Sequence, residues 1–182
     1  MKEIVFLLEE QSAKVMIEIV LAKISSSNLK ARFIVFEGKS DLEKQIVRKL
    51  KGYNNPDAKF IVLRDQDSAD CVQVKNNLKT KCIAAGKPDT IIRIACRELE
   101  SWYLADLSAV ETAYTNKRLS QRQNEKKFRN PDMLGSPSRE LKNLVPEYQK
   151  VSGSREIAPY LNLDNSRSRS FYHFIQAIKN FS

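Results

Sequence analysis

The sequence is poor in the residues that carry most soft-metal and nucleophile chemistry. It has one histidine, His173, and three cysteines, Cys71, Cys82 and Cys96, none of them in a C-x-x-C pair. A lone histidine leaves a catalytic triad or a His-based zinc site nothing to draw on. Three dispersed cysteines support neither a disulfide framework nor a zinc site. The thiols are expected to be reduced and mostly buried, and His173, inside the aromatic stretch FYHFIQ, to be packed. Long apolar runs are missing too, since none reaches the eighteen or so residues that span a bilayer. The opening MKEIVFLLEE turns acidic where a signal-peptide cleavage site would follow, so the expected location is cytoplasmic.

What is present suits one globular domain, or one domain with an appendage, in 182 residues. The formal charge is +9, and the excess is uneven. Residues 1–110 hold 18 Lys/Arg against 15 Asp/Glu, whereas residues 111–182 hold 13 against 7. A basic balance of this kind fits a polyanionic partner, because cations near phosphates release condensed counterions. It is equally the balance of a basic soluble surface.

Short apolar runs alternate with helical patterns along the first two thirds. The runs EIVFLL (3–8), RFIVF (32–36), KFIVL (59–63) and TIIRIA (90–95) read as buried strands. Between them, residues 12–24, 41–50 and 69–84 follow helical spacing, and a further helix is expected from Trp102 to about Tyr114. The polar residues 25–28 end the first of these helices. Alternation of this kind predicts βαβ units, hence an α/β fold with a mainly parallel sheet covered by helices on both faces. Beyond Thr115 the texture changes. KRLSQRQNEKKFRN is basic and reads as a loop or exposed helix end, and short helical patterns at 138–144 and 171–181 follow, separated by Ser152-Gly153-Ser154 and NLDNSRSRS.

In an open parallel sheet, ligands bind outside the carboxyl ends of the strands. All four expected strand ends carry acids: Glu9 and Glu10, Glu37, Asp65 and Asp67, then Glu98 and Glu100. Asp65 and Asp67 stand two apart, so on an extended segment both lean to one side. Two carboxylates about 5 Å apart repel by roughly 3 kcal/mol at an effective dielectric of about 20. The cluster therefore calls for a cation, a shared proton or a basic partner. Hard oxygen donors without histidine or thiol favour Mg²⁺ or Mn²⁺, and metal-assisted hydrolysis is the chemistry they open. The competing reading is that Asp67 or Ser68 caps the next helix. Lys39, Arg64, Arg93 and Arg97 flank these strand ends, either to neutralise a phosphate or to pair with the acids. Trp102-Tyr103 reads as core in preference to a base-stacking platform. Arg167 and Arg169, interleaved with Ser166, Ser168 and Ser170, have the make-up of a phosphate-contacting loop or of a solvated one.

With a strand-terminal glutamate, Glu9, and a later strand-terminal Asp-x-Asp, Asp65/Asp67, the pattern resembles the Toprim (topoisomerase–primase) fold. It resembles more closely the Toprim-like family called domain of unknown function 4276. The stretches that carry this likeness are EEQSAK (9–14), FEGKSDLEK (36–44), VLRDQDSADC (62–71), RIACRELESWYLADL (93–107) and SRSFYHF (168–174). The resemblance implies a Toprim-like (Rossmann-like) α/β core over residues 1–114, with a basic loop and helical C-terminal extension, 115–182, packed on it. It also implies a Mg²⁺- or Mn²⁺-dependent nuclease related to the overcoming-lysogenisation-defect class. Glu9, Asp65, Asp67 and Glu100 would then hold metal, with Glu9 also able to act as general base, and Lys39 or Arg97 would steady the scissile phosphate. Arg64, Lys126, Lys127, Arg129, Arg167 and Arg169 are the candidates to face nucleic acid, DNA before RNA, and Glu10, Glu37 and Glu98 to edge the site. Relatives of this kind often accompany an ATPase of the ATP-binding-cassette type in bacterial anti-phage defence.

Two positions depart from the Toprim pattern. Glu10 stands where glycine usually follows the glutamate, and Asp70 where the Asp-x-Asp often ends in glycine. Glu37-Gly38-Lys39-Ser40-Asp41 is a rival for the first motif. Glu9 is preferred because a full strand–helix–strand–helix separates it from Asp65. Two other readings remain beside the nuclease. One is a non-catalytic nucleic-acid-binding or regulatory subunit of the same fold. The other is a phosphohydrolase of the haloacid-dehalogenase kind, whose Asp-x-Asp usually follows the first strand.

Overall fold

The apolar runs form a sheet whose two central strands are buried on both faces, whereas the edge strand over residues 29–35 is only partly covered. The computed structural model describes residues 2–24, 29–115 and 118–181. Among these, β1 (Lys2–Leu8), β2 (Leu29–Val35), β3 (Lys59–Asp65) and β4 (Ile91–Ala95) pair in parallel in the order β2-β1-β3-β4. Helices α1 (Gln11–Ile24), α2 (Lys39–Lys51) and α3 (Cys71–Ala84) make the crossovers. Ile4 to Leu8 of β1 are fully buried. Alternate residues serve opposite layers: Ile4, Phe6 and Leu8 pack with α1, whereas Val5 and Leu7 pack with apolar residues of α2 and α3. This continuous apolar character is what a parallel sheet covered on both sides requires. The chain goes outward from β1 to β2 and then crosses to β3 on the other side of β1. Strand order thus reverses between β1 and β3, and the loops leaving them diverge to open a crevice at the carboxyl edge.

The α1 side of the sheet is completed by the later part of the chain. Helices α4 (Glu100–Leu104), α5 (Leu107–Tyr114), α6 (Pro137–Leu144), α7 (Lys150–Ile157) and α8 (Arg169–Lys179) share one apolar cluster with α1 and the sheet. Trp102 and Tyr103 lie fully inside it, so they are core. The single helix expected from Trp102 to Tyr114 is two. Asp106 breaks it, since its carboxylate accepts hydrogen bonds from the Ala109 and Asn162 amides, capping α5 and tying down a distant loop.

Other expectations are corrected in the same region. Ser152-Gly153-Ser154 separates nothing, because α7 runs through it. The glycine serves packing there, as a Cβ on Gly153 would lie 2.2 Å from Cε2 of Tyr148. The basic stretch after Thr115 folds into short 3-10 turns pinned by buried Leu119, Gln123 and Phe128. Of the thiols only Cys82 is buried, while Cys71 and Cys96 are half-buried. His173 is exposed, since the buried stripe of α8 is Phe171, Phe174, Ile175 and Ile178, and this phase turns position 173 outward. Residues 25–28, expected to end α1, lie outside the described residues. Among those described, no helix is long and apolar enough to cross a membrane.

Candidate functional site

The crevice between β1 and β3 is built around Glu9. Its amide donates to the Leu63 carbonyl at 3.4 Å, continuing the β1–β3 ladder by one residue. Its carboxylate Oε2 accepts from the Asp65 amide at 3.1 Å, so the side chain takes over where the backbone leaves the sheet. The Glu9 carbonyl accepts from Gly38 at 3.0 Å, which draws the β2–α2 turn, with φ +93° at Gly38, to the same edge. A left-handed backbone of this kind favours glycine. Burial raises the Glu9 carboxyl above its ordinary range, the Asp65 amide opposes the rise, and the charge of Asp67 adds to it.

Around Glu9 the acids divide into two lobes, each facing a lysine. In the first, Asp65 and Glu100 are buried and Glu10 is half-buried. Burial pushes the Asp65 carboxyl well up, and the charges of Glu10, Glu9 and Glu100 push it further. Glu100 is raised by burial, which Lys150 opposes. Tyr148 donates its hydroxyl to Glu100 Oε1 at 3.0 Å, while Glu100 Oε2 is buried with no hydrogen-bond partner among the described residues. Lys150 Nζ lies 3.2 and 3.0 Å from the two Glu10 oxygens, and Ser12 donates to Glu10 Oε1 at 2.7 Å. Burial would lower the Lys150 ammonium, but Glu100 and Glu10 more than reverse this and raise it.

The second lobe holds Asp67, whose Oδ2 accepts from Lys39 Nζ at 2.8 Å and so raises the lysine. The two aspartates therefore do not lean the same way, as their spacing suggested. The strand ends at Asp65, and Asp67 turns into the left-handed region with φ 55°. Capping does not explain Asp67 or Ser68, because the side chain that caps α3 is Asp70, which accepts from the Gln73 amide at 2.8 Å.

Arg97 is also left-handed, with φ 63°. The two strained residues brace one another. The Asp67 amide donates to the Arg97 carbonyl at 2.7 Å, Arg97 Nη1 to the Asp67 carbonyl at 3.3 Å, and the Arg97 amide to Gln66 Oε1 at 3.2 Å. Non-glycine residues in this region cost about 1–3 kcal/mol each and persist only where neighbours over-determine them. Here the strain sits between the Asp-x-Asp loop and the loop leading to Glu100.

The remaining sequence candidates fall into place unevenly. Glu37 is exposed beside Gly38, and its amide donates to Asp41 Oδ2 at 3.1 Å, so the rival E-G-x-x-D stretch closes a turn. Glu98 Oε2 accepts from the Ser138 amide at 2.6 Å, fixing the start of α6 beside the site. Arg64, expected to face nucleic acid, is turned inward. It is only 6% exposed, and its Nη1 donates to Glu43 Oε1 at 2.6 Å. Lys127 pairs with Glu140, Arg129 donates to the Asn124 carbonyl and Arg167 to that of Ala105, while Lys126 and Arg169 are exposed. Ser168 and Ser170 do not form a phosphate loop, since both bind Asp132 at the start of α8.

Lys150 and Tyr148 of the first lobe carry no recognisable motif, and sequence reasoning missed both. The donor set, carboxylates alone with one buried oxygen unpartnered, fits the chemistry of a hard divalent cation. As the side chains stand, among the described residues no three acids, histidines or cysteines are grouped to hold one.

Fold and site together define a Rossmann-like α/β protein with an acidic crevice where its strand order reverses. The chain belongs to the family described as a domain of unknown function (DUF4276), whose family model matches residues 8–179. No curated protein matches the chain, and no solved structure does.

Proposed function

We propose that the protein is a Toprim-like, Mg²⁺- or Mn²⁺-dependent nuclease that cleaves phosphodiester bonds. The observation that carries this reading is the excess of carboxylate at the β1/β3 crevice. Glu9, Glu10, Asp65, Asp67 and Glu100 outnumber the cations beside them, Lys39, Arg64, Arg97 and Lys150, with Nε of Arg64 3.9 Å from Glu9 Oε2, and Oε2 of Glu100 has no partner among the described residues. A divalent cation held by Glu9, Asp65, Asp67 and Glu100 would balance that excess, and such an ion activates water and holds a phosphate oxygen. Lys39 is suited to leave Asp67 for the phosphate, and Glu9 to take the proton of the attacking water. Arg97, locked by its backbone beside Asp67, would orient the phosphate. A place in bacterial anti-phage defence beside an ATPase of the ATP-binding-cassette type rests on the Toprim resemblance alone, and the cytoplasmic location expected from the sequence is part of the same proposal.

The test is cleavage of plasmid and single-stranded DNA by the purified protein in Mg²⁺ or Mn²⁺. Wild type is expected to cut, and Asp65→Ala and Glu9→Ala to lose at least a hundredfold in rate while still unfolding cooperatively. Cleavage by Asp65→Ala at the wild-type rate would overturn the reading.

One observation favours a second reading, a non-catalytic nucleic-acid-binding subunit of the same fold. Lys39 and Lys150 already neutralise an acid in each lobe, and no three described acids are grouped as metal ligands. That reading expects strand binding that weakens steeply with salt and no cutting with any divalent cation.

A further inference from the structure

A cavity of about 380 Å³ lies between α6 and α7, lined by Ser138, Arg139, Lys142, Asn143, Tyr148, Gln149 and Lys150. No carboxylate lines it, although two of its wall residues reach the acids of the candidate site: Tyr148 binds Glu100 and Lys150 binds Glu10. Glu98 holds the first turn of α6 by its Ser138 amide, fixing the cavity to the same edge of the sheet. Arg139 and Lys142, three apart on α6, share a helix face and are exposed. Neither forms an ion pair among the described residues, whereas Lys39, Arg64, Arg122, Lys127 and Lys179 are all engaged. The wall therefore presents two uncommitted cations and a third shared with Glu10, beside two amide side chains and an aromatic ring.

We propose that this cavity receives one nucleotide of a single strand, its phosphate held by Arg139, Lys142 and Lys150. The inference rests on the nuclease reading for its location and narrows the substrate to single-stranded nucleic acid. The size is at the lower end of the roughly 300–1,000 Å³ of ligand clefts. It admits a nucleotide unit and excludes a paired duplex. The three cations set a phosphate against the acids next door, so that a strand seated here runs past Glu10 and Glu100 toward the crevice. Asn143 and Gln149 offer amide donors and acceptors to a base edge or sugar, which favours tolerance of sequence over its readout.

The test is fluorescence anisotropy of the intact protein in EDTA with a labelled single-stranded 20-mer and with a closed hairpin duplex of the same length. Wild type is expected to bind the strand at least tenfold more tightly than the hairpin. Arg139→Ala/Lys142→Ala, both exposed positions, should lose at least tenfold in strand affinity. Its slope of log affinity against log salt should be shallower by up to about 0.7, the value for one phosphate contact on a single strand. Asn143→Arg, which adds a cation to the same wall, should tighten binding, and Lys49→Ala/Lys51→Ala, exposed in the last turn of α2, should leave it within twofold. Equal affinity for the hairpin, or a double variant that binds as wild type, overturns the proposal. Strand binding of this kind in a protein that cuts with no divalent cation would sink the nuclease reading and leave the cavity assignment standing. Metal-dependent cutting by a double variant with wild-type strand affinity would do the reverse.

Discussion

At the scale of single residues, Asp65 shows what the crevice costs the fold. A carboxyl raised by folding stabilises the native state while protonated and withdraws that contribution as pH climbs through its folded value. Asp65, Glu9 and Glu100 are all raised, chiefly by burial, so at neutral pH their ionisation works against the metal-free fold. Asp65→Asn keeps the shape and removes one charge. Its melting temperature in EDTA at neutral pH is expected to rise by about 2–8 °C, taking about 1–2 kcal/mol at a chain of this size. The gain should shrink as pH falls from the folded value of Asp65 into the ordinary carboxylate range, below which the group is neutral in the folded and the unfolded chain alike. Adding Mn²⁺ should raise the wild-type melting temperature and leave Asp65→Asn unmoved, since a ligand stabilises only the state that binds it. A lower melting temperature for Asp65→Asn in EDTA would contradict the charge account.

At the scale of elements, α7 depends on the fit between Gly153 and Tyr148. Any Cβ at position 153 drives into the Tyr148 ring, whose hydroxyl serves Glu100. Gly153→Ala is expected to destabilise by about 1–3 kcal/mol through overpacking. Thermal unfolding reads this directly. Tyr148→Phe, which keeps the ring and removes the hydroxyl, should relieve none of the clash in the double variant. The sequence disclosed the strands and their acids well. A continuous apolar run that gives way within a few residues to a carboxylate, at once at Glu9 and after intervening residues at Asp65 and Glu98, is the pattern of a buried strand leaving its sheet. It disclosed α7 badly. Ser-Gly-Ser carries the composition of a linker, and only tertiary packing reveals that the glycine makes room for a ring. The divergence of Asp65 and Asp67 was hidden for a similar reason, as spacing assumes an extended chain and the backbone at Asp67 is left-handed. Lys150 and Arg139 lie far from the acidic motifs in sequence, and nothing local marks them as neighbours of the crevice.

At the scale of the whole molecule, one apolar cluster joins β1, α1, α4 and α5 to α6, α7 and α8. Residues 1–114, read from sequence as the α/β core, leave one face of that cluster uncovered when alone. A fragment ending at 114 is expected to bind a hydrophobic dye and to show no cooperative melting transition, whereas the full chain melts as one unit. A cooperative transition in the fragment would show that the core stands without its second layer. The same arrangement bears on how the protein is made. Ribosomes extend a chain at about 5–20 residues per second, and Lys150 emerges 85 positions after Asp65. For roughly 4–17 s Asp65 exists without the lysine that will face its lobe. The nascent crevice is thus neither charge-balanced nor walled, and the cavity between α6 and α7 does not yet exist. If the cavity binds strands as proposed, synthesis order alone would keep an unfinished copy from gripping the nucleic acid around the ribosome that is making it.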